Sequence, residues 1–429
     1  MTTQMERLRS TLAGTGVDVS VLTDVHNVLY ASEYRSTMER WGLVEPVSAV
    51  VVPSDPSLPT TLVVPEAMLA GLAVLQDQGR PILTDEVRVF ELTNFCEVGR
   101  ALDPDAGPSA IGEAAMAIND AKRRGGSRDN ILLAIADALT ALPGAATMTV
   151  GVDDLRVGAH LQRQSGLGGI AVQDVYEATI VSRSIKTAVE LERFGAVGAA
   201  ADAAMAAGLA AVRPGVHWPE VEAAVVRSLS EHGGIPVDEG GMLFGGVFRG
   251  EFVAELFRTR GDAVLEAGRP VIIEVLGHVP DLWMDINRTT VVGRSPTAAF
   301  EHQHEVVAET YRMVQEHLVP GTWANELPAM AQQAVRDAGL PAPEKLLVLA
   351  HGVGYMPFEM PAPFPAYGRP TGKGFQIEEN MVLSVDCLYF GAKDGPCHME
   401  NVFVIGSDGA RSLYATPMDL PSLMAMTGV

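Results

Sequence analysis

The sequence predicts two domains, an α/β domain over residues 1–175 and an α+β domain over residues 176–429 whose two halves repeat each other. The chain has 429 residues, of which 47% are apolar, as is typical of a globular protein with two or three domains. In the first domain, the apolar runs Val17–Leu22 and Val47–Val52 have the length and composition of buried strands. A change in sequence character after Tyr176 places the boundary near residue 175.

A long helix, predicted over Ser184–Val212, opens the second domain. Thr187 and Glu190 have the spacing of a capping box at its start, and Pro214-Gly215 ends it. The helix is rich in alanine and carries Asp202, so we expect it to pack inside the protein rather than to span a membrane.

An internal repeat is the most informative feature of the second domain. Three features recur at a constant offset of 106 positions, since Pro214-Gly215, Glu220 and Gly233 return as Pro320-Gly321, Glu326 and Gly339. In each copy the pattern predicts a helix that ends at Pro-Gly, followed by a second helix that is capped by glycine. The sequence therefore predicts two similar halves related by a pseudo-twofold axis.

Each half of the repeat also supplies two carboxylates on apolar strands. Glu274 and Asp285 are 11 residues apart in the first half, and Asp386 and Glu400 are 14 residues apart in the second. Such separations suit neighbouring antiparallel strands joined by a turn, which places the two acids of a pair side by side. Four acids buried together cannot all stay ionised without cations among them, so the pattern predicts a metal site.

The segment His351-Gly352-Val353-Gly354 lies between the two pairs of acids. Together with Glu274, with Asp285-Ile-Asn-Arg-Thr-Thr and with the strands that carry Asp386 and Glu400, it resembles the pita-bread metalloenzymes. This family includes creatinase, prolidase, aminopeptidase P, methionine aminopeptidase and certain dimethylsulfoniopropionate lyases. The resemblance implies a pita-bread catalytic domain over residues 176–429.

The resemblance extends over nearly the whole chain. Asn27-Val28-Leu29-Tyr30 is similar to the creatinase-type N-terminal domain, and Ser184-Ile185-Lys186-Thr187 is similar to the entry helix of the family's catalytic domain. Relatives with this N-terminal domain associate through it, so the resemblance also implies a homodimer, with Trp41 directed toward the partner's active site.

By this resemblance the metal ligands are Glu274, Asp285, His351, Asp386 and Glu400. Asp285 and Glu400 are expected to bridge two cations, Glu274 to hold one of them, and His351 and Asp386 to hold the other. A site with many oxygen donors and one imidazole suits one or two divalent transition-metal ions, namely Mn, Fe, Co or Zn. A metal-activated water is then the expected nucleophile.

Several positions depart from the family's pattern. Glu274 stands where the family has Asp, and Asp386 stands where it has Glu. Phe257 and Phe358 occupy the positions at which the peptidases keep histidines that bind the scissile amide and move protons. Since each general acid or base contributes about 10²–10⁴ in rate, these replacements predict a hydrolase that acts on the C–N or similar bond of a small non-peptide substrate.

Three alternatives remain open. The Pro- and Gly-rich stretch between His351 and Asp386, together with Trp41, resembles the dimethylsulfoniopropionate lyases, which suggests a metal-dependent lyase. The family as a whole suggests an Xaa-Pro peptidase. A non-catalytic binding protein with the same fold is the third alternative, although five retained ligand side chains argue against it.

Further candidate residues surround the expected metals. His278 is expected in the turn between Glu274 and Asp285, where it could transfer protons, and Glu359 and His398 are the other candidate catalytic groups. The candidate substrate-binding residues are Trp41, Phe257, Arg258, Tyr355 and Phe358.

Charge and cysteine content limit the classes of binding partner and the cellular compartments that are expected. The formal net charge of −22 argues against nucleic acid and against anionic membranes, so we expect a small-molecule substrate. The chain has three cysteines and no C-x-x-C spacing, and its N-terminal residues contain no apolar signal-peptide core. These observations predict a cytoplasmic protein.

Overall fold

A computed structural model of the protein describes residues 3–36, 38, 45–69, 71–72, 75, 82–92, 127–236, 264–293, 296–362, 374–390 and 394–428. The chain divides into two units, Met1–Arg183 and Ser184–Val429. This division falls at the end of a short helix that follows the predicted boundary at residue 175.

The first unit is an α/β domain, as predicted. Its described elements, in chain order, are α1 (Gln4–Ala13), β1 (Val19–Leu22), α2 (Val25–Ser32), β2 (Ala49–Pro53), β3 (Thr61–Pro65), β4 (Glu86–Phe90), α3 (Ile131–Thr140), β5 (Thr149–Val152), α4 (Leu155–Leu161), β6 (Ala171–Asp174) and α5 (Tyr176–Ser182). The described strands form one sheet in the order β4-β3-β2-β1-β5-β6, in which β2 alone runs antiparallel to its neighbours. β1, β2 and β3 are buried along their whole length, which explains why they read as continuous apolar runs.

The motif Asn27–Tyr30 has a structural role within the first unit. Asn27 is fully buried and donates a hydrogen bond from Nδ2 to Asp153 Oδ2 over 2.9 Å, while its Oδ1 accepts one from Arg183 over 3.1 Å. The Tyr30 hydroxyl donates to the Ser182 carbonyl over 3.1 Å. These bonds satisfy buried polar groups and hold α2 against the end of the unit.

The second unit is an α+β domain. Its described elements are α6 (Ala188–Ala211), α7 (Trp218–Glu231), β7 (Ile235–Pro236), β8 (Pro270–Val279), β9 (Leu282–Val291), α8 (Ala298–Glu316), α9 (Leu327–Asp337), β10 (Leu346–Gly352), β11 (Val382–Tyr389), β12 (Cys397–Gly406), β13 (Gly409–Ser412) and α10 (Leu420–Ala425). The described strands form a sheet in the order β10-β11-β12-β9-β8-β7, and β13 pairs with β12.

The predicted internal repeat is confirmed down to individual hydrogen bonds. Gly215 N donates to the Leu265 carbonyl over 2.8 Å, and Gly321 N donates to the Ile377 carbonyl over the same distance. Both glycines have a positive φ, 85° and 97°, which a residue with a side chain rarely adopts. In each half, this turn joins a long helix to a shorter one, and the shorter helix contacts an outer strand of the sheet, β7 or β10.

α6 is a packed helix, as its composition suggested. Its length and hydropathy suffice to cross a membrane, but half of its apolar window is buried inside the protein. It begins with the predicted capping box of Thr187 and Glu190. A Cβ at Gly208 would lie 2.8 Å from Val225 of α7 and 3.5 Å from Ile273 of β8. The small residues of α6 therefore allow its close approach to α7 and to the sheet.

Candidate metal centre

The register of the second sheet aligns the acidic residues in a row across four adjacent strands. Glu274 of β8 pairs with Asn287 of β9, Asn287 pairs with Glu400 of β12, and Glu400 pairs with Asp386 of β11. Side chains of directly paired residues lie on the same face of a sheet. The row therefore places Glu274, Glu400 and Asp386 on one face.

Alternation along the strands adds three further side chains to this face. Asp285 precedes Asn287 by two residues on β9, and His398 precedes Glu400 by two residues on β12. His351 of β10 pairs with Ser384, which precedes Asp386 by two residues on β11. Because every second residue of a strand points the same way, these side chains join the row. The five ligands implied by the family resemblance are thus brought to one face, as is His398.

The atoms that could hold a metal ion form two groups among the described residues. The atoms offered by Asp285, His351 and Glu400 all lie within 4.8 Å of one another, and so do those of Asp386, His398 and Glu400. Glu400 belongs to both groups, as expected of a bridging ligand. This grouping differs from the expected division, because His398 takes part and Glu274 belongs to neither group. In addition, His351 and Asp386 fall in different groups, and Asp285 belongs to one group only.

Hydrogen bonds orient the ligand atoms. Asn287 donates from Nδ2 to Glu274 Oε2 over 2.8 Å, and the Ser384 hydroxyl donates to Glu400 Oε1 over 2.7 Å. His351 Nδ1 lies 3.2 Å from its neighbour's carbonyl, that of Gly352. A carbonyl only accepts hydrogen bonds, so this contact places the proton on Nδ1 and leaves a lone pair on Nε2.

The Nε2 lone pair of His351 faces two carboxylates. It lies 4.0 Å from Asp285 Oδ2 and 3.9 Å from Asp386 Oδ2, and it has no hydrogen-bond partner among the described residues. Asp285 Oδ1 is likewise buried and unpaired within the same part of the chain. Buried lone pairs that point at each other are unfavourable unless a cation lies among them. The residues therefore fit a divalent metal ion.

Burial changes the protonation of the whole cluster. It raises the pKa of Asp386 to about 7, and together with the charge of Asp386 it raises the pKa of Glu400 to about 8. The pKa values of Glu274 and Asp285 also lie well above their ordinary range, first because of burial and then because of neighbouring carboxylates. Without a cation the acids hold protons, which a metal ion would have to displace.

The two imidazoles of the cluster are neutral. Burial lowers the pKa of His351 and of His398 to about 4. Neutral imidazole is the form that binds metal ions. The cluster thus presents neutral imidazoles together with carboxylates that a cation would keep ionised.

Arg288, in the Asp-Ile-Asn-Arg-Thr-Thr motif, organises the backbone beneath the site. Within the described part of the chain it donates five hydrogen bonds of 2.7–2.8 Å to the carbonyls of Asn287, Glu400, Thr416 and Pro417 and to Asn401 Oδ1. It is fully buried, and burial lowers its pKa to about 10. The sequence indicated this residue only through the motif, because four of its five hydrogen-bond partners lie more than 100 residues away.

The remaining predicted catalytic residues occupy different surroundings. His278 does not lie in a turn as expected, because β8 continues to Val279, and its ring lies 5.3 Å from that of Trp283. The Glu359 carboxylate forms a buried ion pair with Lys186, 2.9 Å from Nζ to Oε1. A Cβ at Gly354 would lie 2.0 Å from the same Glu359 oxygen, so the glycine makes room for this pair.

The predicted substrate-binding residues are only partly described. Phe358 stacks on the ring of His351 with centroids 3.9 Å apart and planes at 19°, and 47% of its surface is exposed. Tyr355 is buried, and its carbonyl accepts a hydrogen bond from Trp283 Nε1 over 3.0 Å. Trp41, Phe257 and Arg258 lie outside the described residues.

The fold and this cluster together define a class, that of pita-bread proteins with a cluster of carboxylates and imidazoles that could hold a metal ion. The sequence model of metallopeptidase family M24 matches residues 192–407, about half of the chain. The chain belongs to metallopeptidase family M24.

Relatives within this family carry peptidase names. The chain is 28% identical over 159 residues to the Xaa-Pro dipeptidase of Pyrococcus furiosus, a match that spans 37% of this chain and 43% of the relative. It is 23% identical over 284 residues to the probable dipeptidase PepE of Mycobacterium tuberculosis, a match that spans 66% of this chain and 72% of the relative. The solved Xaa-Pro dipeptidase from Bacillus anthracis superposes with a TM-score of 0.70 at 17% identity, over 97% of this chain and 98% of the other.

These relatives correct two expectations from the sequence. The expected non-peptide substrate is contradicted, because the relatives are named as peptidases. For the same reason, the doubt about peptidase activity is not supported. The resemblance to the lyase branch gains no support from them. The replacement of two imidazoles by Phe257 and Phe358 does not exclude peptide hydrolysis, because the described centre keeps its carboxylates and two imidazoles.

Proposed function

We propose that the protein is a metal-dependent peptidase that hydrolyses dipeptides, with Xaa-Pro dipeptides as its first candidate substrates. One observation carries the metal dependence: the buried Nε2 lone pair of His351 faces Asp285 and Asp386 with no described hydrogen-bond partner between them. The peptidase names of the relatives in the same family support the substrate class.

The ligand roles follow from the geometry of the cluster. Asp285, His351 and Glu400 would hold one ion, while Asp386 and Glu400 would contribute to a second. Glu274, whose carboxylate is oriented by Asn287, is proposed as a further ligand of the first ion. Bound Mn, Fe, Co or Zn would polarise the scissile carbonyl and lower the pKa of the attacking water.

Phe358 is proposed to bind the apolar part of the substrate. One face of its ring stacks on His351, and nearly half of its surface is exposed beside the cluster. An exposed aromatic face next to the metal ligands suits a prolyl ring or an apolar side chain. The same stacking restrains the orientation of the His351 imidazole.

The proposed activity is tested with a panel of dipeptides. Purified protein is loaded separately with Mn²⁺, Co²⁺ or Zn²⁺ and incubated with Ala-Pro, Phe-Pro, Ala-Ala and Phe-Ala, and the release of free amino acids is measured. We expect turnover of at least the Xaa-Pro substrates, and none from Asp285→Asn. The exposed Asp408→Asn variant serves as the matched control. Metal-loaded protein that cleaves no dipeptide would refute the proposal and would leave the non-catalytic alternative.

We also propose that the protein is a homodimer in a reducing compartment such as the cytoplasm. The dimer rests on the resemblance of the N-terminal domain to relatives that associate through it. The compartment is supported by Cys387 and Cys397, which are buried and not disulfide-bonded.

A further inference from the structure

His398 lies among the metal-ligating atoms rather than at the edge of the site. It precedes Glu400 by two residues on β12, so both side chains point to the same face. Glu400 pairs directly with Asp386 of β11, which makes His398 a diagonal neighbour of Asp386. Diagonal neighbours are within reach of long and aromatic side chains, and the distances show that this contact is made.

Asp386 is contacted by an imidazole at each of its oxygens. His398 Nε2 lies 2.9 Å from Oδ1, and His351 Nε2 lies 3.9 Å from Oδ2. His398 Nε2 also lies 3.9 Å from Glu400 Oε2. The group of Asp386, His398 and Glu400 therefore repeats the composition of Asp285, His351 and Glu400, with one aspartate, one histidine and the shared glutamate.

The position of His398 is fixed by its backbone. Its N–H donates to Thr289 Oγ1 over 2.8 Å, and the Thr289 hydroxyl donates to the His398 carbonyl over 2.9 Å. This reciprocal pair of bonds ties His398 of β12 to β9. Only 8% of the His398 side chain is exposed. The imidazole is thus a preorganised donor, as a metal ligand has to be.

We infer that His398 is a metal ligand, so that the centre consists of two Asp-His-Glu positions that share Glu400. The inference rests on the proposed function only in that a metal ion binds there. The competing explanation is that the protonated Nε2 of His398 merely donates a hydrogen bond to Asp386, which would make it a positioning residue. A second imidazole shifts the donor set toward nitrogen, and this favours Zn²⁺ or Co²⁺ over Mg²⁺ or Ca²⁺.

The test is direct detection of the metal–nitrogen bond. Protein with ¹⁵N-labelled histidine is loaded with ¹¹³Cd²⁺, and the histidines whose Nε2 shows scalar coupling to cadmium are identified by NMR. We expect two coupled histidines in the wild-type protein. His398→Gln, which keeps a hydrogen-bond donor for Asp386, should lose one of them, and His351→Gln should lose the other. The exposed His302→Gln variant is the matched control and should keep both.

The other outcomes separate this inference from the proposed function. Coupling at His351 alone, with a proton still on His398 Nε2, would overturn the ligand role of His398 while leaving peptidase activity possible. Two coupled histidines in a protein that cleaves no dipeptide would uphold the inference and refute the proposed function. No bound cadmium would overturn the inference, and the dipeptide assay would then decide the proposed function by itself. The affinity for the second equivalent of Cd²⁺ provides an independent readout, since His398→Gln should lower it at least 10-fold.

Discussion

Lys186 Nζ donates a hydrogen bond to Glu359 Oε1 over 2.9 Å, and the side-chain exposures of the two residues are only 1% and 0%. Lys186 lies just before α6, and Glu359 follows Phe358 in the segment after β10. The pair therefore fixes the segment that places Phe358 against the imidazole of His351. The ion pair thereby holds the segment around Glu359 in place beside the site.

Replacement of Lys186 by Met should destabilise the protein by about 3–5 kcal/mol, because it removes the cation that lies 2.9 Å from the buried Glu359 carboxylate. The measurement is the free energy of unfolding from denaturant titration. The exposed Lys345→Met variant is the control and should change this free energy by less than about 0.5 kcal/mol. Adding Glu359→Gln to Lys186→Met should recover part of the loss, and a double variant as unstable as the sum of the single ones would contradict the ion pair.

Replacement of Asp285 by Asn should remove most of the bound metal, since Asp285 belongs to the group that contains His351 and Glu400. Elemental analysis of wild-type protein after supplementation should give between one and two ions per chain. Circular dichroism should show that the variant remains folded. The exposed Asp408→Asn variant is the control and should keep its metal. Full metal content in Asp285→Asn would be incompatible with the proposed centre.

The stability of the metal-free protein should fall as the pH rises from about 6.5 to about 8. The pKa values of Asp386 and Glu400 are raised by burial to about 7 and about 8, so the folded state keeps protons that the unfolded chain has released. Unfolding then releases protons, and a rise in pH favours it by up to about 1.4 kcal/mol per pH unit and group.

Histidines oppose this effect only at lower pH. Burial lowers the pKa values of His351 and His398 to about 4, so their contribution to stability rises between about pH 4 and the ordinary histidine value of 6.5. Above pH 6.5, the dependence of stability on pH therefore reports the carboxylates and not these two histidines. The measurement is the free energy of unfolding at several pH values in the presence of a chelator. Glu400→Gln should reduce the slope, and saturating Zn²⁺ should abolish it. A slope of the opposite sign would contradict the assignment.

Replacement of Phe358 by Ala should raise the KM for Xaa-Pro dipeptides about 10-fold, because it removes roughly 1.4 kcal/mol of aromatic contact with the substrate. Phe358→Tyr keeps the ring and should retain most of the affinity. The exposed Val189→Ala variant controls for the loss of surface apolar area. An unchanged KM in Phe358→Ala would show that the exposed face of this ring does not contact the substrate.

The mass in solution should be about twice the 45.5 kDa of one chain. Sedimentation equilibrium at micromolar concentration measures it directly. A mass of a single chain would remove the proposed dimer while leaving the metal centre untouched.

The sequence was most informative where the interactions are local or repeated. The constant offset between Gly215 and Gly321 predicted two equivalent turns, and the 14-residue separation predicted that Asp386 and Glu400 lie side by side on neighbouring antiparallel strands. Each of these turns, and each pair of strands, is formed by a short stretch of the chain.

Features that depend on strand order could not be predicted in this way. The bonds between Thr289 and His398, and those from Arg288 to Thr416, exist because β9 and β12 are neighbours in the sheet. No spacing along the chain encodes that adjacency. His278 was wrongly predicted to lie in a turn for a related reason. β8 extends beyond Glu274 as far as Val279, so the turn begins after His278.

The single pairing between β9 and β12, at Asn287 and Glu400, has a mechanical consequence. Each repeat half has its own hairpin, β8–β9 or β11–β12, and the strands pair along most of their length within a half. Between the halves the backbone pairing is shorter, and side-chain hydrogen bonds from Arg288 and Thr289 of β9 to β12 supplement it. Asp285 of one half faces His351 and Asp386 of the other. An ion bound at this point would crosslink the two halves, so loss of the metal would also be expected to weaken the cooperativity of their unfolding.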